Sequence, residues 1–493
     1  MSKVTSAFRG GILTIAMRWT DRLLGLASTL ILARLLSPAD FGLVAMAMII
    51  VGLVDVLLDL GVASALIQNS SADRHDFDSA WTLRLAQSIL SATALVVAAP
   101  YCAEYYHDPR VADVVRVVAI SVLIGGLENI GIVMFQKNMA FGLDFKFFVT
   151  KRAVTTIVTI TLAVMLRSYW ALVLGSLIGR AVGVALSYLM HAFRPRISVK
   201  NVGRIWSFSQ WNLVMNVASY VSTRLDKFVL GKKGNAGTLG AYALADEVAS
   251  LPTSELLAPL GRVMYPAFVR ARGDSEEFRR LVLLAFAVQA LIGIPAGLGV
   301  ALVAPQAVPV MLGDQWGEAV PLVQILGMTG VFATLVHSSH YMLLALGRVR
   351  TLSIYYIGQA AGLAAALFIL LPSHDAMNIA EARLLVAAAA LILMAALARS
   401  AMPSLRLSHF FRYGWRPIIA TAVMTVAVSV VGAISAEQPQ LMLLVVKILV
   451  GVVAYGASIA VLWIGTGRPD GAERYILSAA SSKRRLPNES ASS

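Results

Sequence analysis

Runs of about 20 apolar residues recur along the whole chain, and short polar stretches separate them. A run of this length forms an α-helix long enough to cross the hydrocarbon core of a bilayer. A transmembrane β-barrel would instead show shorter segments in which apolar and polar residues alternate. The pattern therefore predicts an all-α polytopic membrane protein with about 14 transmembrane helices. The predicted spans are 10–36, 41–67, 80–99, 113–135, 149–166, 169–190, 207–230, 238–260, 281–304, 320–346, 351–371, 382–401, 416–434 and 441–465.

Two similar stretches, about 200 residues apart, indicate an internal repeat. The first, ILARLLSPADFGLVAMA, follows the first span, and the second, VLGKKGNAGTLGAYALA, follows the seventh. Phe41-Gly42 and Leu239-Gly240 stand at the same place in the two copies. Because an even number of spans separates the copies, both halves have the same orientation in the membrane, as in a parallel repeat. The repeat predicts two six-helix lobes around a central cavity, with two extra C-terminal helices.

The repeat also sets the predicted domain boundaries. These are 1–200 for an N-terminal lobe (spans 1 to 6), 201–401 for a C-terminal lobe (spans 7 to 12), 402–466 for the accessory spans 13 and 14, and 467–493 for a basic cytoplasmic tail. In span 6, Gly175, Gly179 and Gly183 recur every four residues, which predicts a face for close helix packing.

Charge supports the membrane assignment and orients the chain. Only 14% of the residues are charged, against about 25% in soluble domains, and the mean hydropathy is +0.75. With the N-terminus in the cytoplasm, 27 Lys and Arg residues fall on the cytoplasmic side and 7 on the other. The positive-inside rule then predicts that both termini are cytoplasmic. This distribution accounts for the net charge of +14 without a nucleic-acid partner.

Two spans carry polar residues on one helical face. The stripe in span 1 is Arg18, Asp21, Arg22, Gly25 and Thr29, and the stripe in span 7 is Asn212, Asn216, Ser219, Thr223 and Asp226/Lys227. Spacings of three and four residues place the members of each stripe along one side of a helix. Ionisable groups inside a bilayer are expensive and usually face a water-filled pathway. The matched stripes therefore predict a transporter with a hydrophilic cavity between two lobes.

The arginines of span 1 suggest what this cavity holds. Arg18 and Arg22 offer bidentate donors to a phosphate or a pyrophosphate. In an alternative interpretation, Asp55 and Asp59 of span 2 neutralise them within the lobe. Both can hold, because a carboxylate can pin an arginine that still reaches the cavity.

The other candidate residues are assigned with alternatives. Asp246 in span 8 could carry a proton or sodium, or pair with Arg224 or Lys227, and the pairing is preferred. Lys227 could equally be an interfacial anchor. Arg180 and Glu128 are weaker candidates for the lumen. The predicted cavity residues are Arg18, Asp21, Arg22, Asp55, Asp59, Arg180, Asn212, Asn216, Arg224, Asp226, Lys227 and Asp246.

Motifs for catalysis, metals or nucleotides are weak or missing in the sequence. GKKGNAG (231–237) lacks the order of a phosphate-binding loop and is interpreted as a turn between helices. His337 and His340 lack a third metal ligand at clear spacing, so polar lining is preferred. The protein is expected to be no enzyme and to need no cofactor or metal, and coupling to a proton or sodium gradient is left open.

The hairpins at both copies of the repeat resemble a known family. ILARLLSPADFGLVAMAMIIVGLVDVLLDLGVASALIQ and DKFVLGKKGNAGTLGAYALADEVASLPTSELLAPLGRVMYPAF are similar to the first hairpins of each half in the polysaccharide exporters. These proteins are lipid-linked oligosaccharide flippases (Wzx-like) of the multidrug/oligosaccharidyl-lipid/polysaccharide (MOP) exporter superfamily.

The resemblance implies a fold, a substrate and a location. It implies a V-shaped pair of lobes with a cationic cavity and alternating access. The cargo would be an undecaprenyl-diphosphate-linked sugar unit, moved to the outer leaflet of a bacterial inner membrane for exopolysaccharide, capsule or O-antigen synthesis. By similarity to the lipid II flippases, spans 13 and 14 would form a groove for the lipid tail. The expected partners are this lipid, membrane lipids and, as a candidate, the polysaccharide polymerase or export machinery, with a monomeric protein.

Two other functions are weighed against this one. A multidrug/cation antiporter of the same superfamily would need a cavity rich in carboxylates and aromatic rings, whereas span 1 is net basic. A membrane polysaccharide polymerase or ligase would need a sizeable outside loop with an acid/base pair. The longest outside loops, 101–112, 304–319 and 372–381, are short. The sequence therefore favours the flippase.

Overall fold

The computed structural model describes residues 2–59, 62, 66, 73–200, 210–370, 375–435, 438–469 and 471–475. Within these ranges the regular elements are all helices, which confirms the predicted all-α fold. The helices are α1 (Ser2–Leu35), α2 (Pro38–Leu58), α3 (Arg74–Tyr106), α4 (Arg110–Gly126), α5 (Val133–Lys137), α6 (Phe141–Leu166), α7 (Trp170–Met190), α8 (Gln210–Lys233), α9 (Ala236–Ala271), α10 (Ser275–Leu312), α11 (Ala319–Ala345), α12 (Val349–Ala365), α13 (Ala376–Ala401), α14 (Leu407–Ile434) and α15 (Gln440–Gly465).

Ten of the described helices are long and apolar enough to cross a membrane, and the bent pair formed by α4 and the segment 130–137 would make eleven. The long helices α1, α8 and α9 are not among the ten, and each carries charged residues inside its predicted span. The chain is therefore a multi-pass membrane protein. The total of 14 spans stays a prediction.

The chain divides into two compact units. Unit 1 comprises residues 1–243 and 311–315, and unit 2 comprises residues 244–310 and 316–493. The division falls inside α9, so unit 1 contains α8, the helix that carries the second polar stripe. The lobe boundaries at residues 200 and 401 rest on the repeat, and they stay a prediction.

The starts of α2 and α9 cross in unit 1 at two repeat-related glycines. A methyl group on Gly42 would overlap the carbonyl oxygen of Ala236, and one on Gly240 would overlap that of Pro38. The two contacts are equivalent under the repeat, because residues 38 and 236 are as far apart in the chain as residues 42 and 240. The pattern FG…LG therefore marks a symmetric approach of two backbones, which only glycine allows.

The two repeats also contact each other at the ends of helices. In unit 1, Tyr105 at the end of α3 stacks on Phe228 of α8, with ring centroids 4.5 Å apart. Gln315, which follows α10, donates to the carbonyl oxygens of Ala33 and Leu36 at the end of α1, at 3.1 Å for Leu36. Each of these contacts joins the end of a helix from one repeat to a segment from the other.

Helices α6 and α7 form a close antiparallel pair, as predicted from the glycines of span 6. A Cβ at Gly175 or Gly179 would meet the side chain of Thr159 or Thr155, and one at Gly183 would meet that of Lys151. Both helices thus repeat the contact every four residues, which brings their axes close along one face.

A break follows α4 and is covered by an extended segment, residues 191–200, here called the strap. The two helical pieces on either side of the break are bent by 63°. Asn129 closes it: its backbone N–H donates to Ser187 Oγ (3.0 Å) and its Nδ2 donates to the Phe193 carbonyl (2.7 Å). The strap also runs along α3, where the Arg196 N–H donates to Asp78 Oδ1 (2.9 Å).

In unit 2 the accessory helices α14 and α15 form a hairpin that packs against α10. Tyr455 Oη donates to the Leu291 carbonyl (2.6 Å), and Lys447 Nζ donates to Gln306 Oε1 (2.9 Å). Residues 471–475 also pack here, because Glu473 forms an ion pair of 3.1 Å with Arg416. The rest of the predicted tail, 476–493, lies outside the described residues.

The close crossing at Gly42 predicts that position 42 does not tolerate a larger side chain. Gly42→Ala should lower the free energy of unfolding by about 1–3 kcal/mol, because the new methyl group meets backbone atoms that cannot rotate away. Gly456→Ala is the matched control: it lies on α15 with nothing within 4 Å, so it should be neutral or stabilising by up to about 1 kcal/mol. Thermal unfolding in detergent would measure both, and equal midpoints would contradict the tight crossing.

The strap predicts a stability that depends on pH. His191 Nδ1 accepts from the Phe193 N–H (3.0 Å), and burial, with Arg194 nearby, lowers the pKa of His191 below its ordinary value of 6.5. The folded protein thus favours neutral His191, and stability should fall as pH drops below about 6.5, by at most about 1.4 kcal/mol per pH unit. His191→Asn keeps an acceptor that does not titrate. If it leaves the pH slope of thermal unfolding unchanged, His191 is not responsible.

Candidate functional site

Glu128 is the centre of a charged cluster in unit 1. It lies at the break after α4, with its side chain 12% exposed. One oxygen accepts from Arg84 Nη2 of α3 at 2.7 Å, and the other accepts from Lys151 Nζ of α6 at 3.0 Å. A single carboxylate therefore holds two basic side chains from two helices. Such charge-assisted hydrogen bonds are the strong ones in a low-dielectric interior.

Glycines allow these side chains to meet. Gly126 lets α4 approach α3 so closely that a Cβ there would overlap Ser88, one turn from Arg84. Gly183 leaves room for the aliphatic chain of Lys151 to cross the surface of α7. The helix packing of unit 1 thus places the amine and the guanidinium on either side of Glu128.

A second ion pair links α1 to α6. Arg152 Nε lies 3.1 Å from Asp21 Oδ1, and both side chains are partly exposed. Gly25, one turn after Asp21, again makes room, because a Cβ there would lie 2.9 Å from Arg152 Nη2. Arg18 and Arg22 flank Asp21 on the same helix, so the polar stripe of α1 borders α6.

The carboxylates of α2 belong to the same region. Asp55 interacts electrostatically with Arg180 of α7 and with Asp59. Arg180 lies against Gly125, three residues before Glu128, because a Cβ added at Gly125 would lie 3.1 Å from Arg180 Cδ. Tyr220 of α8 donates to the Ile49 carbonyl (2.7 Å) and is within electrostatic reach of both Asp55 and Arg224.

Basic side chains outnumber acidic ones in this cluster. Its basic members are Arg18, Arg22, Arg84, Lys151, Arg152, Arg180 and Arg224, and its acidic members are Asp21, Asp55, Asp59 and Glu128. The helices α1, α2, α3, α6, α7 and α8 all contribute. Several guanidinium groups around a few carboxylates suit an anion with multiple oxygens, such as a phosphate or diphosphate.

The remaining predicted cavity residues lie outside the Glu128 cluster. Asp226 is buried and accepts from Tyr242 Oη (2.8 Å), and Lys227 beside it is buried too, so both side chains contact protein here. Asn216 is exposed on α8, whereas the side chain of Asn212 lies outside the described residues. Asp246 is in unit 2 and forms an ion pair of 3.0 Å with Arg383 of α13.

The two histidines of α11 contact protein groups. His337 Nδ1 lies 2.7 Å from the Ala333 carbonyl oxygen, and His340 Nδ1 lies 3.2 Å from Tyr356 Oη. Across the ranges that the structure describes, no group of three or more His, Cys, Asp or Glu side chains could hold a metal ion.

Sequence reasoning missed three members of the cluster. Arg84 is not among the predicted cavity residues, although an arginine within a predicted span, here 80–99, is itself a signal. Lys151 and Arg152 fall at the start of the fifth predicted span, 149–166, where basic residues are typical of the cytoplasmic end of a span. The helix begins earlier, at Phe141, so both residues lie about three turns into it.

The fold is that of a helical membrane transporter. It is similar to the structure of the lipid II flippase MurJ in an inward closed conformation, with a TM-score of 0.75, 13% identity and coverage of 92% of this chain and 99% of that one. It is also similar to an inward-facing multidrug resistance MATE family transporter of the MOP superfamily, with a TM-score of 0.61, 13% identity and coverage of 78% and 96%.

The chain belongs to the polysaccharide biosynthesis protein family, whose model matches residues 31–321. This confirms the resemblance seen in the two hairpins. Among its relatives are the lipopolysaccharide biosynthesis protein WzxC of Escherichia coli K12, 25% identical over 66% of this chain, and the succinoglycan biosynthesis transport protein ExoT of Rhizobium meliloti, 24% identical over 61%. The matched stretches span 67% of WzxC and 61% of ExoT.

The Glu128 cluster predicts unequal effects of two lysine substitutions on α6. Lys151→Met should lower the free energy of unfolding by about 1–3 kcal/mol, because the buried carboxylate loses one of two charged donors. Lys146→Met makes the same change at an exposed position between one and two turns earlier on α6, and it should have little effect. Thermal unfolding in detergent compares them. A Lys151→Met midpoint equal to that of Lys146→Met would show that the Lys151–Glu128 pair adds no stability.

Proposed function

We propose that the protein flips undecaprenyl-diphosphate-linked oligosaccharide units across a bacterial inner membrane by alternating access. The observation that carries the proposal is the cationic cluster of unit 1, in which basic side chains from five helices lie among fewer carboxylates. A diphosphate is the part common to all such lipid-linked sugars, and guanidinium and ammonium groups recognise it without reading the sugar.

The family supports the same cargo. Relatives are named for lipopolysaccharide biosynthesis, succinoglycan transport and, in Bacillus subtilis, teichuronic acid biosynthesis. These glycans differ from one another, whereas a lipid carrier with a diphosphate would be shared. The proposal therefore places the protein before the polymerase or export machinery of an exopolysaccharide, capsule or O-antigen, as a transporter rather than an enzyme.

The proposal includes an orientation in the membrane. The bias of Lys and Arg between loops places both termini in the cytoplasm. The break at Glu128 and the strap would then lie towards the cytoplasm, where the cargo is made. A monomer and coupling to a proton or sodium gradient stay predictions.

Deletion of the gene tests this function directly. Undecaprenyl-linked oligosaccharide should accumulate facing inwards, protected from an impermeant glycosidase or lectin added outside the inner membrane. The wild-type gene should restore access, and so should Lys146→Met. The triple variant Arg18→Gln, Arg22→Gln and Arg224→Gln should fail, because it removes three positive charges from the anion site.

Three results would count against the proposal. A normal pool of outward-accessible oligosaccharide in the deletion strain would refute flipping, and increased drug accumulation there would favour the antiporter. Full export by the triple variant at normal protein levels would refute the cationic mechanism. A change in glycan chain length produced by the purified protein would point to a polymerase.

A further inference from the structure

The pairing at Glu128 resembles an occupied anion site. Arg84 Nη2 and Lys151 Nζ approach different oxygens of one carboxylate, at 2.7 and 3.0 Å. A phosphate group offers oxygens in a similar arrangement and carries more charge. The same two donors could therefore hold a phosphate if the carboxylate moved away.

The two donor side chains are more exposed than the carboxylate, so a second anion could reach them. The side chains of Arg84 and Lys151 are 32% and 26% exposed, against 12% for Glu128. Arg180 adds a third cation beside Gly125, on the turn that precedes Glu128. An incoming anion would thus meet the two donors from their exposed side, with further positive charge nearby.

Hydrogen bonds hold the backbone on both sides of Glu128, so the proposed exchange is assigned to the side chain. The Leu127 carbonyl accepts from Tyr188 Oη (3.1 Å), and the Asn129 N–H donates to Ser187 Oγ (3.0 Å). Both contacts tie the break to α7. Glu128 itself follows the C-terminal end of α4, and its backbone N–H donates to the Gly125 carbonyl (3.2 Å).

We propose that Glu128 is a resident counter-ion, which occupies the Arg84–Lys151 subsite in the absence of cargo and is displaced by a diphosphate. The identity of that diphosphate, as part of a lipid-linked sugar, rests on the proposed function. An internal competitor keeps two partly buried cations paired when the site is empty of cargo, since an uncompensated charge in the protein interior is costly. It also weakens binding, and a transporter must bind its cargo weakly enough to release it.

The proposal makes an unusual prediction: neutralising an acidic residue should strengthen anion binding. Glu128→Gln should bind inorganic pyrophosphate about tenfold more tightly than wild type, because the competing charge is gone. Arg84→Gln and Lys151→Gln should each bind it about tenfold more weakly. Affinity would be measured on purified full-length protein in nanodiscs by calorimetry, at one fixed ionic strength because surface charges are screened by salt.

Asp113→Asn is the matched control. Asp113 is an exposed carboxylate on α4 and pairs with Arg116 at 2.9 Å, so its neutralisation changes net charge equally. It should leave the affinity for pyrophosphate unchanged. An equal gain for Asp113→Asn and Glu128→Gln would mean that net charge alone acts, and would overturn the proposal.

The outcomes separate this inference from the proposed function. Unchanged or weaker binding by Glu128→Gln would show that Glu128 only positions the two cations, and no detectable binding by wild type and Glu128→Gln would exclude the subsite. If Glu128→Gln does not fold, wild-type affinity in both Arg84→Gln and Lys151→Gln would overturn the inference. If the order of affinities is as expected but the deletion strain exports its glycan normally, the anion subsite stands and the flippase function fails.

Discussion

The cost of a charge inside a membrane is the constraint on which unit 1 depends. A basic or acidic side chain there must find a partner or water, and the penalty for losing a partner is severe. Unit 1 meets this requirement at two carboxylates by pairing them with basic groups of other helices, Glu128 with Arg84 and Lys151, and Asp21 with Arg152. Glu128 shows the principle most clearly, since it joins α3 and α6 across the break after α4. The charges thus both stabilise the packing and prepare a site.

Close helix approach is the means by which these charges meet. Arg84, Lys151, Arg152 and Arg180 each reach the cluster next to a glycine, at Gly126, Gly183, Gly25 and Gly125 respectively. Any side chain at these four positions would occupy the space that a basic side chain or its helix now uses. A glycine on a transmembrane helix usually serves packing between apolar surfaces. Here packing and electrostatics depend on the same positions, which couples the geometry of the site to the fold.

The sequence predicted the fold well and the site only in part. Apolar runs of membrane length are a local property of the sequence, and the structure contains the helices that they predict. Gly42 and Gly240 could be matched through the internal repeat, but their close contact is visible only in the structure. A prediction of the cluster would require the ends of the helices and the partner of each charge. Both depend on tertiary packing rather than on the local sequence. The pairing of Lys151 with Glu128 joins α6 to the break after α4, and the pairing of Asp246 with Arg383 joins helices far apart in the chain. The strap could not be foreseen, because its hydrogen bonds join an extended segment to α3 and to Asn129.

A comparison of ion pairs shows why the cluster, rather than any buried charge, indicates the site. In unit 2, Arg416 and Glu473 pair at 3.1 Å and are only 4% and 8% exposed, so this pair fixes residues 471–475 against α14. Glu128 is nearly as buried, yet it serves two cations that remain partly exposed. A balanced and closed pair can only hold the structure together. A carboxylate shared between two accessible cations leaves positive charge for a ligand, and this imbalance gives unit 1 the chemistry that a diphosphate requires.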